Sequence, residues 1–314
     1  MGDHDPETGG AQPMVRPTET ARWVIPVLIP LAAVFVAYAL LVPDGPAEAA
    51  RSVAVAVAWG STLVLALVVT VLVVLGGMAV RRGPGGGRRR PGSLRTWLAV
   101  AVVGYLILLT AVSGRMAPLP VFDPLEHHWQ GKVLDLIWLA ILFGLLRRWA
   151  RTEVGLRVTI AAGSARPAAI TIISVFGFFV GLTVLAVVLD PSTVAPVSAE
   201  RIAYDATIPN LTEELIWRGA MLAVLDRAFG TPRVVLGAPV GWGIVITSVV
   251  FGVGHGVLID LAGGWSVNLA GGVFATVMGL ALGWIWARTG SVWPAFLLHC
   301  APELGVDVGM LMTG

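Results

Sequence analysis

The stretch Asn210-Leu211-Thr212-Glu213-Glu214-Leu215-Ile216-Trp217-Arg218-Gly219 puts two adjacent carboxylates and an arginine into a run that otherwise reads as a membrane helix. Each such group costs roughly 2.5 to 3.5 kcal/mol or more at a helix centre in lipid. Ionisable residues at that depth turn inward, pair with one another and mark a functional site by default. Glu214 and Arg218 are four apart and share a helix face, so a charge-assisted pair lowers the cost of burying either. Glu213 is rotated by about 100° and cannot share the arginine in the same way. It is the less neutralised carboxylate, open to a water, a proton or a metal. Pro209 suits the first turn of a helix, which places both glutamates within about two turns of its positive end.

The rest of the chain supports a membrane reading. Of 314 residues, 56% are hydrophobic and 13% charged, with a mean hydropathy of +0.84. Soluble domains run at about 45–50% and about 25%. Apolar runs of spanning length are read at Trp23–Val42, Val53–Val80, Trp97–Val112, Val133–Leu146, Ala168–Leu189, Ile208–Leu225, Val240–Ile259, Val267–Ala287 and Val292–Leu311. The expected fold is therefore all-α, a polytopic bundle of about eight to nine transmembrane helices. The last run carries Pro294, Pro302, Glu303 and Asp307 and is expected to be broken or only partly inserted. Ala47-Glu48-Ala49 offers a cleavage-like site, but the preceding apolar run is too long for a signal peptide and reads as an uncleaved span. Cys300 is the only cysteine, so no internal disulfide can form.

Loop charge sets the expected orientation. With the N-terminus inside, sixteen of the 21 Lys and Arg residues fall in cytoplasmic segments and four (Arg51, Arg115, Lys132, Arg201) on the opposite side. That bias points to a multi-pass protein of the cell membrane with a cytoplasmic N-terminus. The run Arg81-Arg82-Gly83-Pro84-Gly85-Gly86-Gly87-Arg88-Arg89-Arg90 reads as a flexible loop touching anionic lipid, so no nucleic-acid partner is expected. The expected partners are the bilayer and a peptide or membrane-protein substrate.

Two of the five histidines lie in strongly apolar spans, both downstream of the glutamate pair. His255 sits in Phe251-Gly252-Val253-Gly254-His255-Gly256, whose small residues let another backbone pack close. His299 and Glu303 are four apart and face one way if that stretch is helical. Histidine and carboxylate converging in a dry pocket suit general base catalysis, and the same set suits a divalent metal such as Zn2+. Straight spans of the stated lengths would leave His255 and Glu213 about 10 Å from His299 in depth.

Glu213-Glu214-x-x-x-Arg218, Phe251-x-x-x-His255 and His299-x-x-x-Glu303, in that order, resemble the CPBP family of intramembrane proteases. That family is also called the Abi or CAAX-protease family and includes the type II CAAX prenyl endopeptidases. The resemblance covers roughly residues 200–310. It implies a hydrolase in which Glu213 activates water, His255 helps to hold it, Glu214 and Arg218 brace the site, and His299 stabilises the oxyanion. If a metal is present, Glu213, His255 and His299 would hold it. Glu303 departs from the Asn, or sometimes Asp, of the family. The implied division is a disordered polar tail at 1–22, N-terminal transmembrane helices of unassigned role at 23–167, and a catalytic transmembrane domain at 168–314. Two other readings stay open on the residues alone. One is a non-catalytic binding or immunity protein of the same fold. The other is a proton-coupled transporter, which the lack of an internal repeat disfavours.

Overall fold

The computed structural model describes residues 22–82, 93–260 and 262–314. The expected polar tail up to residue 21 and the arginine-glycine run beyond Arg82 lie outside the described residues. After a 3-10 turn at Pro26–Leu28, the helices run α1 (Ile29–Leu41), α2 (Gly45–Arg82), α3 (Leu94–Arg115), α4 (Trp129–Leu145), α5 (Arg147–Thr152), α6 (Ala165–Leu189) and α7 (Ala199–Ala206). The span carrying the glutamates is divided into α8 (Ile208–Glu214), a π-helical stretch (Leu215–Leu222) and α9 (Ala223–Phe229). A short hairpin, β1 (Arg233–Val235) with β2 (Ala238–Val240), leads into α10 (Trp242–Gly256). A second hairpin, β3 (Val257–Ile259) with β4 (Trp265–Val267), precedes α11 (Leu269–Thr289) and α12 (Val292–Thr313).

Five of these helices, α2, α3, α6, α11 and α12, are long and apolar enough to cross a membrane, and α1 and α10 are shorter apolar helices. The protein is an all-α, multi-pass membrane bundle. Its outer faces carry exposed apolar side chains, among them Leu65, Leu72 and Val73 on α2 and Ile173, Phe178 and Val188 on α6. In lipid such a surface needs no polar cover, and helices keep their backbone hydrogen bonds internal. The core gathers Trp138, Leu142, Ile216, Met221, Leu282 and Leu298 from four segments.

Two close crossings fix the helices that carry the site. A Cβ on Gly256 would lie 3.0 Å from the Gly272 Cα, and one on Gly252 would lie 2.7 Å from the Gly272 carbonyl oxygen. Here α10 and α11 touch backbone to backbone, the contact expected from the small residues around His255. Likewise, Gly305 on α12 packs against Phe176 and Phe179 of α6, and Gly309 against Thr183. Against expectation, α12 runs unbroken through Pro302. Pro294 falls in its first turn, where no N–H is needed, and packing along α6 offsets the hydrogen bond missing at Pro302.

Candidate active site

α8 presents Glu213 and Glu214 from the first turns after Pro209, whose ring opens the helix. The π-helical stretch begins at the next residue and holds Arg218. Such i→i+5 turns recur at functional sites, and this one keeps Arg218 over Glu214. Arg218 Nη1 donates to Glu214 Oε1 at 2.8 Å, and both side chains are almost wholly buried. Glu214 Oε1 also lies 2.7 Å from His299 Nδ1. A carboxylate there makes Nδ1 the protonated nitrogen of His299 and turns a lone pair at Nε2 toward Glu213.

His255 is set the same way by a different partner. Its Nδ1 lies 2.9 Å from the Phe251 carbonyl, which can only accept, so Nε2 again carries the lone pair. The two Nε2 atoms converge on one oxygen: Glu213 Oε2 is 4.0 Å from that of His255 and 3.9 Å from that of His299. Those separations exceed a direct hydrogen bond and leave room for one small species between the three groups. Exposure falls from 44% at His255 through 22% at Glu213 to 12% at His299, so the site opens past His255. Phe251 holds the group together. The Arg218 guanidinium lies 4.5 Å from its ring centre, the His255 ring 4.2 Å and the His299 ring 6.0 Å.

The expected gap in depth does not arise, because the helices do not start in one plane. His299 stands seven residues into α12 and His255 thirteen into α10, yet both reach Glu213. All six residues singled out by their spacing sit together. Glu303 faces the site one turn beyond His299, and Asn210 Nδ2 donates to its Oε2.

Sequence reasoning missed Lys132, placing it only as an outer-loop charge. It stands on the first turn of α4, and its Nζ lies 2.5 Å from Glu213 Oε1. It is also the only lysine in the chain, against twenty arginines, a signal that a single compact ammonium was wanted there. Asn210 was visible in the opening motif without a role. Its amide bridges the Asp205 carbonyl, at 2.7 Å, and Glu303. Below it, Arg201 Nε lies 2.8 Å from Asp307 Oδ1 and 3.9 Å from Asp205 Oδ2. Asp205, on the short helix α7, is pushed up to about 7 by burial and by the neighbouring carboxylates Glu303 and Asp307.

Among the described residues no group of three or more His, Cys, Asp or Glu is placed to hold an ion. The Lys132 ammonium already supplies positive charge to Glu213 and would repel a divalent cation.

No curated protein and no solved structure matches the chain. A family model does. Residues 196–304, about a third of the chain, match the type II CAAX prenyl endopeptidase Rce1-like family. The matched segment holds Glu213, Glu214, Arg218, His255, His299 and Glu303, and leaves Lys132 outside. On the order of its motifs and on that match, residues 196–304 form an Rce1-like domain.

Proposed function

We propose that the chain is an intramembrane endopeptidase in which Glu213 is the general base for a water molecule. The observation that carries this is the convergence of His255 Nε2 and His299 Nε2 on Glu213 Oε2, at 4.0 and 3.9 Å, from three separate helices. A water there donates one hydrogen to Glu213 Oε2 and the other to His255 Nε2. Glu213 takes its proton as the water oxygen bonds to the scissile carbonyl carbon. The carbon–nitrogen bond then breaks, and the proton passes from Glu213 to the leaving amine. The products are a new carboxylate and a new amine. Lys132 lowers the cost of holding the Glu213 carboxylate in a partly dry cavity and fixes which oxygen faces the water.

The Glu214–Arg218 pair positions His299 through Nδ1. His299 stands beside the carbon under attack and, when its Nε2 carries a proton, donates to the developing oxyanion. No step is routed through a metal. The substrate is a membrane-associated peptide or protein. Because the site lies at the end of the bundle opposite the arginine-rich segments, it faces the outer leaflet when the N-terminus is cytoplasmic. The test is cleavage of membrane-anchored peptides by purified protein in nanodiscs. Wild type cleaves and Glu213→Gln, equally folded, does not. Equal cleavage by both would sink the assignment of Glu213.

A further inference from the structure

Arg115 ends α3 on the site side of the bundle and lines the same cavity as Glu213 and His255, a space of about 240 Å³. Its guanidinium carbon lies 4.4 Å from the Trp59 ring centre, and Nη1 donates to the Ile259 carbonyl at 2.7 Å. That bond uses one of five N–H donors. Among the described residues Arg115 forms no ion pair. Three other titratable groups on the cavity wall, Lys132, Asp135 and His128, have partners. Lys132 is paired with Glu213. Asp135 accepts from Thr110 and Trp138, at 3.0 and 2.9 Å. His128, at the N-terminus of α4, bonds the Met116 carbonyl, and burial holds it below the ordinary histidine value, so it stays neutral.

A half-buried guanidinium without a counter-ion is costly, and stacking on a tryptophan recovers only part of that cost. Its planar fork matches a carboxylate in two parallel hydrogen bonds. We propose that Arg115 is a substrate subsite that holds a carboxylate of the bound peptide, at its C-terminus or on an acidic side chain. This rests on the endopeptidase reading above. A sphere of the cavity's volume is about 8 Å across, the reach of two to three extended residues. The carboxylate therefore lies within about three residues of the bond facing Glu213. Trp59, on α2, and Arg115 both fall outside the Rce1-like segment, so the N-terminal helices supply this recognition.

The test uses Glu213→Gln protein in zwitterionic nanodiscs, which separates binding from cleavage. The probes are three versions of one lipidated, fluorescent peptide. One has a free C-terminal carboxylate, one a C-terminal amide and no acidic residue, and one a C-terminal amide with a single glutamate near the end. One or both acidic versions are expected to bind about tenfold or more tighter than the neutral one. Whichever gains names the source of the carboxylate. Adding Arg115→Gln removes the difference. Equal affinity of all three, no binding of any, or a preference that survives Arg115→Gln overturns the subsite. If Arg115→Gln fails to fold, Arg115→Met takes its place, and a preference that survives it overturns the subsite. Failure of wild type to cleave any of them counts against the endopeptidase reading instead, whatever the binding result.

Discussion

Glu213 divides its two oxygens between different tasks, with Oε1 on the Lys132 ammonium and Oε2 facing the two imidazoles. Losing the base by Glu213→Gln is expected to lower kcat by about 10²–10⁴-fold and to cost less stability than Lys132→Met, since the amide oxygen still accepts from the Lys132 ammonium, read by peptide cleavage and thermal unfolding. Lys132→Met leaves a partly buried carboxylate without its counter-charge, at a cost of about 1–3 kcal/mol. Adding Glu213→Gln to it recovers most of that loss, and a double-mutant cycle in unfolding measures the recovery; additive effects would show that the pair is not coupled. At Glu303 the charge opposes a developing oxyanion, while the hydrogen bond from Asn210 needs only an acceptor. Glu303→Gln is therefore expected to keep or raise kcat, and Glu303→Ala to lower it. The glutamate pair, Arg218 and both histidines were legible because i,i+4 spacing and charge in an apolar run carry their own physical signal. Lys132 was not, since a lysine next to an apolar run usually snorkels to water. Only its being the sole lysine marked it.

At the level of elements, the position of His255 depends on the contact between α10 and α11. Gly256→Val introduces carbons against the Gly272 backbone, which cannot give as a side chain would. A loss of about 1–3 kcal/mol in stability and a larger loss of activity are expected, because His255 is the adjacent residue. Wild-type activity and stability would show that this contact does not set the site. α7 contributes a pH dependence. Protonated Asp205 is favoured in the folded state, since its value is raised from 3.8 to about 7. The stability from that preference is complete below the unfolded value and is lost as pH rises through about 7. Melting temperature should fall by a few degrees between pH 5 and 8, and Asp205→Asn should flatten the profile. Hydropathy placed an apolar run over each of the five helices long and apolar enough to cross a membrane, because apolar run length follows from bilayer thickness. It did not show the division of the glutamate helix at Glu214, since a π-helical turn has no hydropathy signature. Nor could it show that α12 passes Pro302 intact, which depends on packing against α6.

Across the whole molecule, Lys132 opens α4 beside the site, and Arg147, Arg148 and Arg151 follow its other end. A cysteine in place of Asp123, exposed in the loop before α4, should react with a membrane-impermeant maleimide on intact cells. One in place of Arg148, exposed at the other end, should not. Native Cys300 is buried and will not confuse the readout. The reverse pattern would put the site on the cytoplasmic face. Loop charge supplies the expectation of that topology, whereas the joining of two sequence segments in one cavity was not legible in the sequence. Lys132, Arg115 and Trp59 come from before the Rce1-like segment, and only the fold brings them beside Glu213 and His255. The central claim, that Glu213 drives peptide-bond hydrolysis in the membrane, is tested most directly by comparing new peptide N-termini. The comparison is between membranes carrying wild-type protein and membranes carrying Glu213→Gln at matched expression. The account predicts a set of cleavages present with wild type, absent with Glu213→Gln and restored on complementation. The same N-termini from both, with the variant folded and present, would contradict it.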